Sequence, residues 1–122
     1  MLIIILLILI NHFVADFIMQ DEKWALGKSK NLLDLTLHVT TYTLCWIPLS
    51  VFITGFNSPF FLIITFVAHF ITDYVTSRIV SKKFENKHYG SAILNLGAFT
   101  VIGFDQLLHY FQLILTYYFL SQ

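Results

Sequence analysis

Charge is scarce in this chain. Only 11% of its 122 residues are Asp, Glu, Lys or Arg, against about 25% in a soluble domain, which argues against an ordinary cytosolic globule. Seven basic residues are cancelled by seven acidic ones. There is no basic excess of the kind that nucleic acid attracts, and no nucleic-acid partner is expected. Cysteine is reduced to Cys45 alone. That excludes an internal disulfide and any zinc finger built on cysteine pairs, and a lone thiol between apolar neighbours is a poor nucleophile. Proline is confined to Pro48 and Pro59. What fills the chain instead is apolar: 57% hydrophobic residues, 17% aromatic, and a mean hydropathy of +0.77. Disordered chains show the opposite balance. The composition reads as one small integral membrane domain over residues 1–122.

A membrane-crossing helix needs roughly 20 mostly apolar residues. Four segments qualify, at about 2–19, 31–54, 59–79 and 98–120, so the expected fold class is all-α, an integral membrane four-helix bundle. Apolar residues before the fourth segment begin near Ala92, too early for one straight span, and a short interfacial segment is expected at 89–96. Gly55-Phe56-Asn57-Ser58-Pro59 reads as a tight turn, with Ser58 as N-cap and Pro59 at the first helical position. Pro48 should bend the second helix, since it removes a backbone hydrogen bond. The N-terminus resembles the apolar part of a signal peptide, but it lacks a basic start and a small-residue cleavage site. It is expected to stay as an anchor. Lys23, Lys28 and Lys30 fall between helices one and two, and Arg78, Lys82, Lys83 and Lys87 between helices three and four. Positive charge marks the cytoplasmic side, which gives a multi-pass protein of a bacterial inner membrane with both termini outside.

The polar residues inside these segments are paired. His12 and Asp16 lie in the first helix, Asp34 and His38 in the second, His69 and Asp73 in the third, Asp105 and His109 in the fourth. A spacing of four puts both members of a pair on one helix face, a turn apart. Helices that run toward the cytoplasm read His then Asp, and helices that run away read Asp then His. All four aspartates should therefore form one layer near the basic loops, with the histidines one turn deeper. Residues 1–54 and 59–122 are each a hairpin with the same order of pairs, the pattern of a parallel repeat.

An aspartate within a membrane costs roughly 2.5–3.5 kcal/mol on insertion scales, so four cost on the order of 10 kcal/mol. Such groups must face the bundle interior and be paired, or hold an ion. Imidazole and carboxylate together suit zinc, manganese or iron. Eight candidate ligands, His12, Asp16, Asp34, His38, His69, Asp73, Asp105 and His109, are enough for one ion or two. Asp34 is the outlying member, near the start of its helix. Other readings of the pairs are a structural hydrogen-bond network, a proton relay or ion pathway, and, with less to support it, haem. Gln20, Asn95 and Gln106 are candidate hydrogen-bond partners. Trp24 and Tyr89 read as interface anchors, His88 as exposed, and the basic loops as a place for a lipid phosphate.

Taken together, His12-Phe-Val-Ala-Asp16-Phe-Ile-Met-Gln20, Trp24, Lys28, His38, His69-x3-Asp73 and Asp105-Gln106-x2-His109 resemble a family of small prokaryotic and phage membrane proteins classed as a domain of unknown function. More distantly, the paired motifs look like those of inner-membrane proteins classed as metal-dependent hydrolases and described as LexA-binding. The resemblance implies a bacterial or phage origin and a functional site within the membrane. The function expected is hydrolysis of a lipid-linked or amphiphilic ester, plausibly a phosphoester, with Asp16 or Asp73 as general base. A divalent-metal or proton transporter, or a non-catalytic phage accessory protein, is the alternative. The partner expected is a membrane lipid or lipid-linked substrate, and a homo-oligomer is compatible with the small core.

Overall fold

The computed structural model describes residues 1–90 and 96–122. Its regular structure is helical throughout, with no strand among the described residues. Helix α1 covers Leu2–Phe13, α2 Glu22–Gly27, α3 Leu32–Cys45, α4 Ile47–Thr54, α5 Ser58–Glu85 and α6 Ala98–Leu120.

Local chemistry accounts for most of the boundaries. The Asp21 side chain accepts from the Lys23 N–H at 2.8 Å and opens α2. Asn31 does the same for α3, accepting from the Leu33 N–H at 2.9 Å. The expected bend at Pro48 appears as a break at Trp46, between α3 and α4, because Pro48 has no N–H to offer the preceding turn. Gly55 follows α4 with φ of 55°, a backbone region that glycine enters without steric penalty.

Several boundaries differ from expectation. The first helix is not a plain α-helix to Met19. After Phe13 it continues as one π-helical turn, Val14–Ile18, closed by the Met19 N–H on the Val14 carbonyl at 2.9 Å. Residues 20–30 carry the short helix α2. Ser58 does not cap α5. It is the first residue of that helix, and its Oγ lies 2.7 Å from Ser50 Oγ on α4, which ties the two helices together instead. Helix α5 also runs six residues beyond Ile79, so Arg78, Lys82 and Lys83 ride on it. Helix α6 begins at Ala98, as expected. The interfacial segment expected at 89–96, with Asn95, falls mostly outside the described residues.

Side-chain contacts fix how the helices lie. Asp73 meets His109, Thr76 meets Asp105, and Asn57 reaches the Leu120 carbonyl, so α5 and α6 are antiparallel. His38 meets His69, Trp46 packs on Phe61, and Ser50 meets Ser58, which makes α3–α4 antiparallel to α5. His12 meets Tyr42 while Asp16 meets His38, which sets α1 antiparallel to α3.

The distribution of polarity is the reverse of a water-soluble core. The interior holds His12, Asp16, His38, His69, Asp73, Asp105 and His109, all buried, beside an apolar plug of Ile8, Tyr42, Trp46, Phe61 and Leu113. Ile3, Phe52, Phe60, Phe111 and Phe119 point outward. Two helical stretches, Ile47–Glu85 (39 residues, turning at Gly55) and Ala98–Leu120 (23 residues), are long and apolar enough to cross a membrane. Only 28% and 22% of their most apolar windows are buried within the molecule, so these are not helices hidden in a soluble core. Leu2–Ile18 is a shorter apolar helix.

Candidate metal centre

Three helical segments deliver side chains to one point. The π-helical turn carries Asp16, α3 carries His38, and α5 carries His69 and Asp73. His38 Nε2 lies 3.1 Å from His69 Nε2, 3.2 Å from Asp16 Oδ1 and 3.1 Å from Asp73 Oδ2. His69 Nε2 lies 3.5 Å from both Asp16 Oδ1 and Asp73 Oδ2. These are five of the six edges of a tetrahedron. Ligand distances of zinc to nitrogen and oxygen imply tetrahedral edges of about 3.3–3.5 Å. Two imidazole nitrogens and two carboxylate oxygens thus crowd together, and His38, His69 and Asp73 are one of the sets close enough to share an ion. Asp16 Oδ1 adds a separate sign: it is buried, and apart from the two imidazole nitrogens beside it, it has no hydrogen-bond partner among the described residues. These buried His and Asp groups are near enough to one another to hold a metal ion.

The surroundings hold these ligands in place. His69 is clamped by stacking, with the Tyr42 ring at 3.8 Å on one side and the His109 ring at 4.1 Å on the other. Its Nδ1 has no hydrogen-bond partner among the described residues. The Lys28 ammonium donates to Asp73 Oδ2 at 2.7 Å, the one lysine that enters the cluster. Burial alone would lower the basicity of Lys28, but Asp73 and Asp16 outweigh burial and raise it above its ordinary 10.5. A raised lysine gives its stability in full below that value and loses it only as pH rises beyond. Stability between pH 6 and 9 is therefore expected to carry no Lys28 titration, as denaturant unfolding at several pH values would check.

Of the remaining candidates, Asp105 and His109 join the cluster. His109 Nε2 lies 3.1 Å from Asp73 Oδ1 and 3.4 Å from Asp105 Oδ2. His12 and Asp34 belong to none of the groups close enough to share an ion. His12 is used up: Nε2 lies 2.8 Å from Gln106 Oε1, and Nδ1 lies 2.8 Å from the Tyr42 hydroxyl. The Gln106 NH2 donates to Asp16 Oδ2 at 3.2 Å and to Asp105 Oδ2 at 3.0 Å. That leaves its carbonyl for the His12 N–H, and the Tyr42 hydroxyl donates to the other ring nitrogen. Gln106 is thus a bridge among His12, Asp16 and Asp105, a larger role than a generic polar partner. Tyr42 was missed altogether, although it stands four residues after His38 and so on the same face.

Asp34 packs against Gly27, so tightly that a β-carbon at residue 27 would collide with its carboxylate. Gly27 lets α2 close on α3 and sets Lys28 beside Asp73. Gly27→Ala is expected to cost about 1–3 kcal/mol, read as a lower unfolding midpoint in detergent.

A cavity of about 720 Å³ opens beside the cluster on the side of the basic segments. Asp16, Asp105, Gln106 and Gln20 are part of its polar wall, Lys28 and Lys30 add positive charge and Glu85 negative, and Leu26, Val80, Phe84 and Ile102 supply apolar surface. Among the described residues, no histidine lines it. The carboxylates of Asp16 and Asp105 therefore lie on the cavity side and the imidazoles behind them, above the apolar plug.

A family model described as a protein of unknown function, DUF3307, matches residues 3–122. The chain belongs to the DUF3307 family. This meets the expected kinship with a family of unknown function, and the matched residues include all eight His and Asp residues from His12 to His109. No curated protein and no solved structure matches the chain.

Proposed function

We propose that this protein is a membrane-embedded four-helix bundle whose His/Asp centre binds a divalent transition metal and hydrolyses a lipid-linked or amphiphilic phosphoester. The observation that carries this reading is the cavity. It joins a carboxylate wall, two lysines and an apolar flank in a single opening, as a substrate with an anionic head and a hydrocarbon tail requires. The basic segments mark the cytoplasmic side, so the substrate would enter from the inner leaflet of a bacterial membrane.

The roles divide along the geometry. His38, His69, Asp16 and Asp73 would hold the ion, which when bound supplies Lewis acidity and a water of lowered pKa. Asp16 lines the cavity and Asp73 does not, so Asp16 is the better of the two expected bases for a water on the substrate side. Asp73 is committed to Lys28 and three histidines. Lys28 and Lys30 meet the anionic head. The plug of Trp46, Phe61 and Leu113 behind the histidines favours a closed reaction site over an ion pathway through the bundle.

Metal content by mass spectrometry of protein purified without chelators, together with turnover of fluorogenic lipid phosphoesters, tests the reading. The expected result is a stoichiometric transition metal and activity that chelation abolishes. Folded, metal-free and inactive protein would overturn it. Lys28→Met is expected to raise KM for an anionic-headed substrate about tenfold or more, the loss of one charge-assisted contact, while KM for a neutral ester stays unchanged.

A further inference from the structure

We propose that the centre takes a second cation, bridged to the first by Asp73, and that this second position is filled together with the phosphate of the substrate. The inference rests on the metal-centre reading above and goes beyond it in number, location and order of binding.

Asp73 uses its two oxygens in different directions. Oδ2 faces His38, His69 and Lys28, whereas Oδ1 faces His109 Nε2 at 3.1 Å. Asp105 Oδ2 approaches the same nitrogen at 3.4 Å. Ligand atoms of Asp73, Asp105 and His109 all lie within 4.8 Å of one another, a second set that shares only Asp73 with the first. Asp105 is held for the task, with Thr76 Oγ1 donating to Oδ1 at 2.5 Å and Gln106 to Oδ2 at 3.0 Å. The two positions differ in character. The first has four protein ligands, of which Asp16 alone lines the cavity. The second has three and borders the cavity through Asp105. Three protein ligands with an open place is the arrangement of catalytic sites, and a carboxylate between two ions matches two-metal phosphoester chemistry.

Charge fixes the order. With the imidazoles in the neutral form that ligates a metal, Asp16, Asp73 and Asp105 bring three negative charges and Lys28 one positive. One divalent ion brings the cluster to zero, and a second leaves it at plus two. In a buried setting such an excess needs an anion beside it, and a phosphate entering from the cavity supplies one. By reciprocity, phosphate must then strengthen the second cation as much as that cation strengthens phosphate.

The test is Mn²⁺ binding to the purified full chain, read by mass spectrometry after desalting and by electron paramagnetic resonance, with and without inorganic phosphate. The expected result is one ion per chain without phosphate and two with it, the pair giving an exchange-coupled spectrum. Asp105→Asn is expected to keep the first ion and lose the second. Thr76→Val, which removes the hydrogen bond that holds Asp105 but no ligand itself, should weaken the second ion alone and so serves if Asp105→Asn fails to fold. Dodecyl phosphate should promote the second ion at a lower concentration than inorganic phosphate, since its chain can use the apolar flank. Equal potency would overturn a lipid source for the phosphate. One ion under both conditions would overturn the second site while leaving the metal centre intact. No ion at all would overturn the parent reading.

Discussion

Replacing His38 and His69 together by alanine is expected to reduce bound metal from about one ion per chain to background. Turnover of a lipid phosphoester should fall by about a thousandfold or more, since a catalytic ion supplies several kcal/mol and each 1.36 kcal/mol is a factor of ten. The two imidazoles provide half of the near-tetrahedral set and face each other at 3.1 Å, so neither a carboxylate nor His109 can replace both. Loss of ring volume is a second effect, because His69 fills the space between the Tyr42 and His109 rings. Glutamine at both positions separates the two, since it fills more of that space and is a weak ligand. The glutamine variant is expected to unfold near the wild-type midpoint and still lack metal. Metal retained in either variant would show that the ion lies elsewhere.

The other large effect is expected at Asp73. Its carboxylate meets Lys28 at 2.7 Å, His38 and His109 at 3.1 Å, and His69 at 3.5 Å. Asp73→Asn keeps the size and removes the charge, leaving the Lys28 ammonium, with 18% of its side chain exposed, without its main partner. Removing one member of a buried pair costs about 3–5 kcal/mol, and the partial exposure of Lys28 places the expectation at the lower end. Denaturant unfolding in detergent reads that loss, and metal content should vanish with it. Asp34→Asn is the control. Asp34 lies outside every ligand group, so metal binding should be unchanged. A double variant, Lys28→Met with Asp73→Asn, should recover part of the stability and none of the metal, which separates the ion pair from the centre.

Much of the site was legible because helical spacing is a local property. Pairs four residues apart must share a face wherever the helix goes, and within each of three pairs the structure brings His and Asp to 3.8 Å or less. The apolar runs and the turn at Gly55 were legible for a similar reason, since turn chemistry and hydrophobic length act within a few residues. The π-helical turn at Val14–Ile18 was not. Neither proline nor glycine marks it, and the wider turn stands at a place where Asp16 is drawn toward His38 and His69. Nor could helix α2 be separated from a basic loop, since its six residues are too few to show a period.

By itself, the sequence determined that this chain is helical, that its outer faces are apolar, and that histidines and aspartates share its interior on opposite sides of one turn. Composition and i,i+4 spacing need no partner to take effect. Only the tertiary structure decided which candidates meet. Rotation of each helix about its axis is set by packing against its neighbours, and a small turn exchanges one contact for another. That is why His12 is consumed by Tyr42 and Gln106, why Asp34 ends against Gly27, and why Asp73, one of four equivalent aspartates in the sequence, stands where His38, His69, His109 and Lys28 converge.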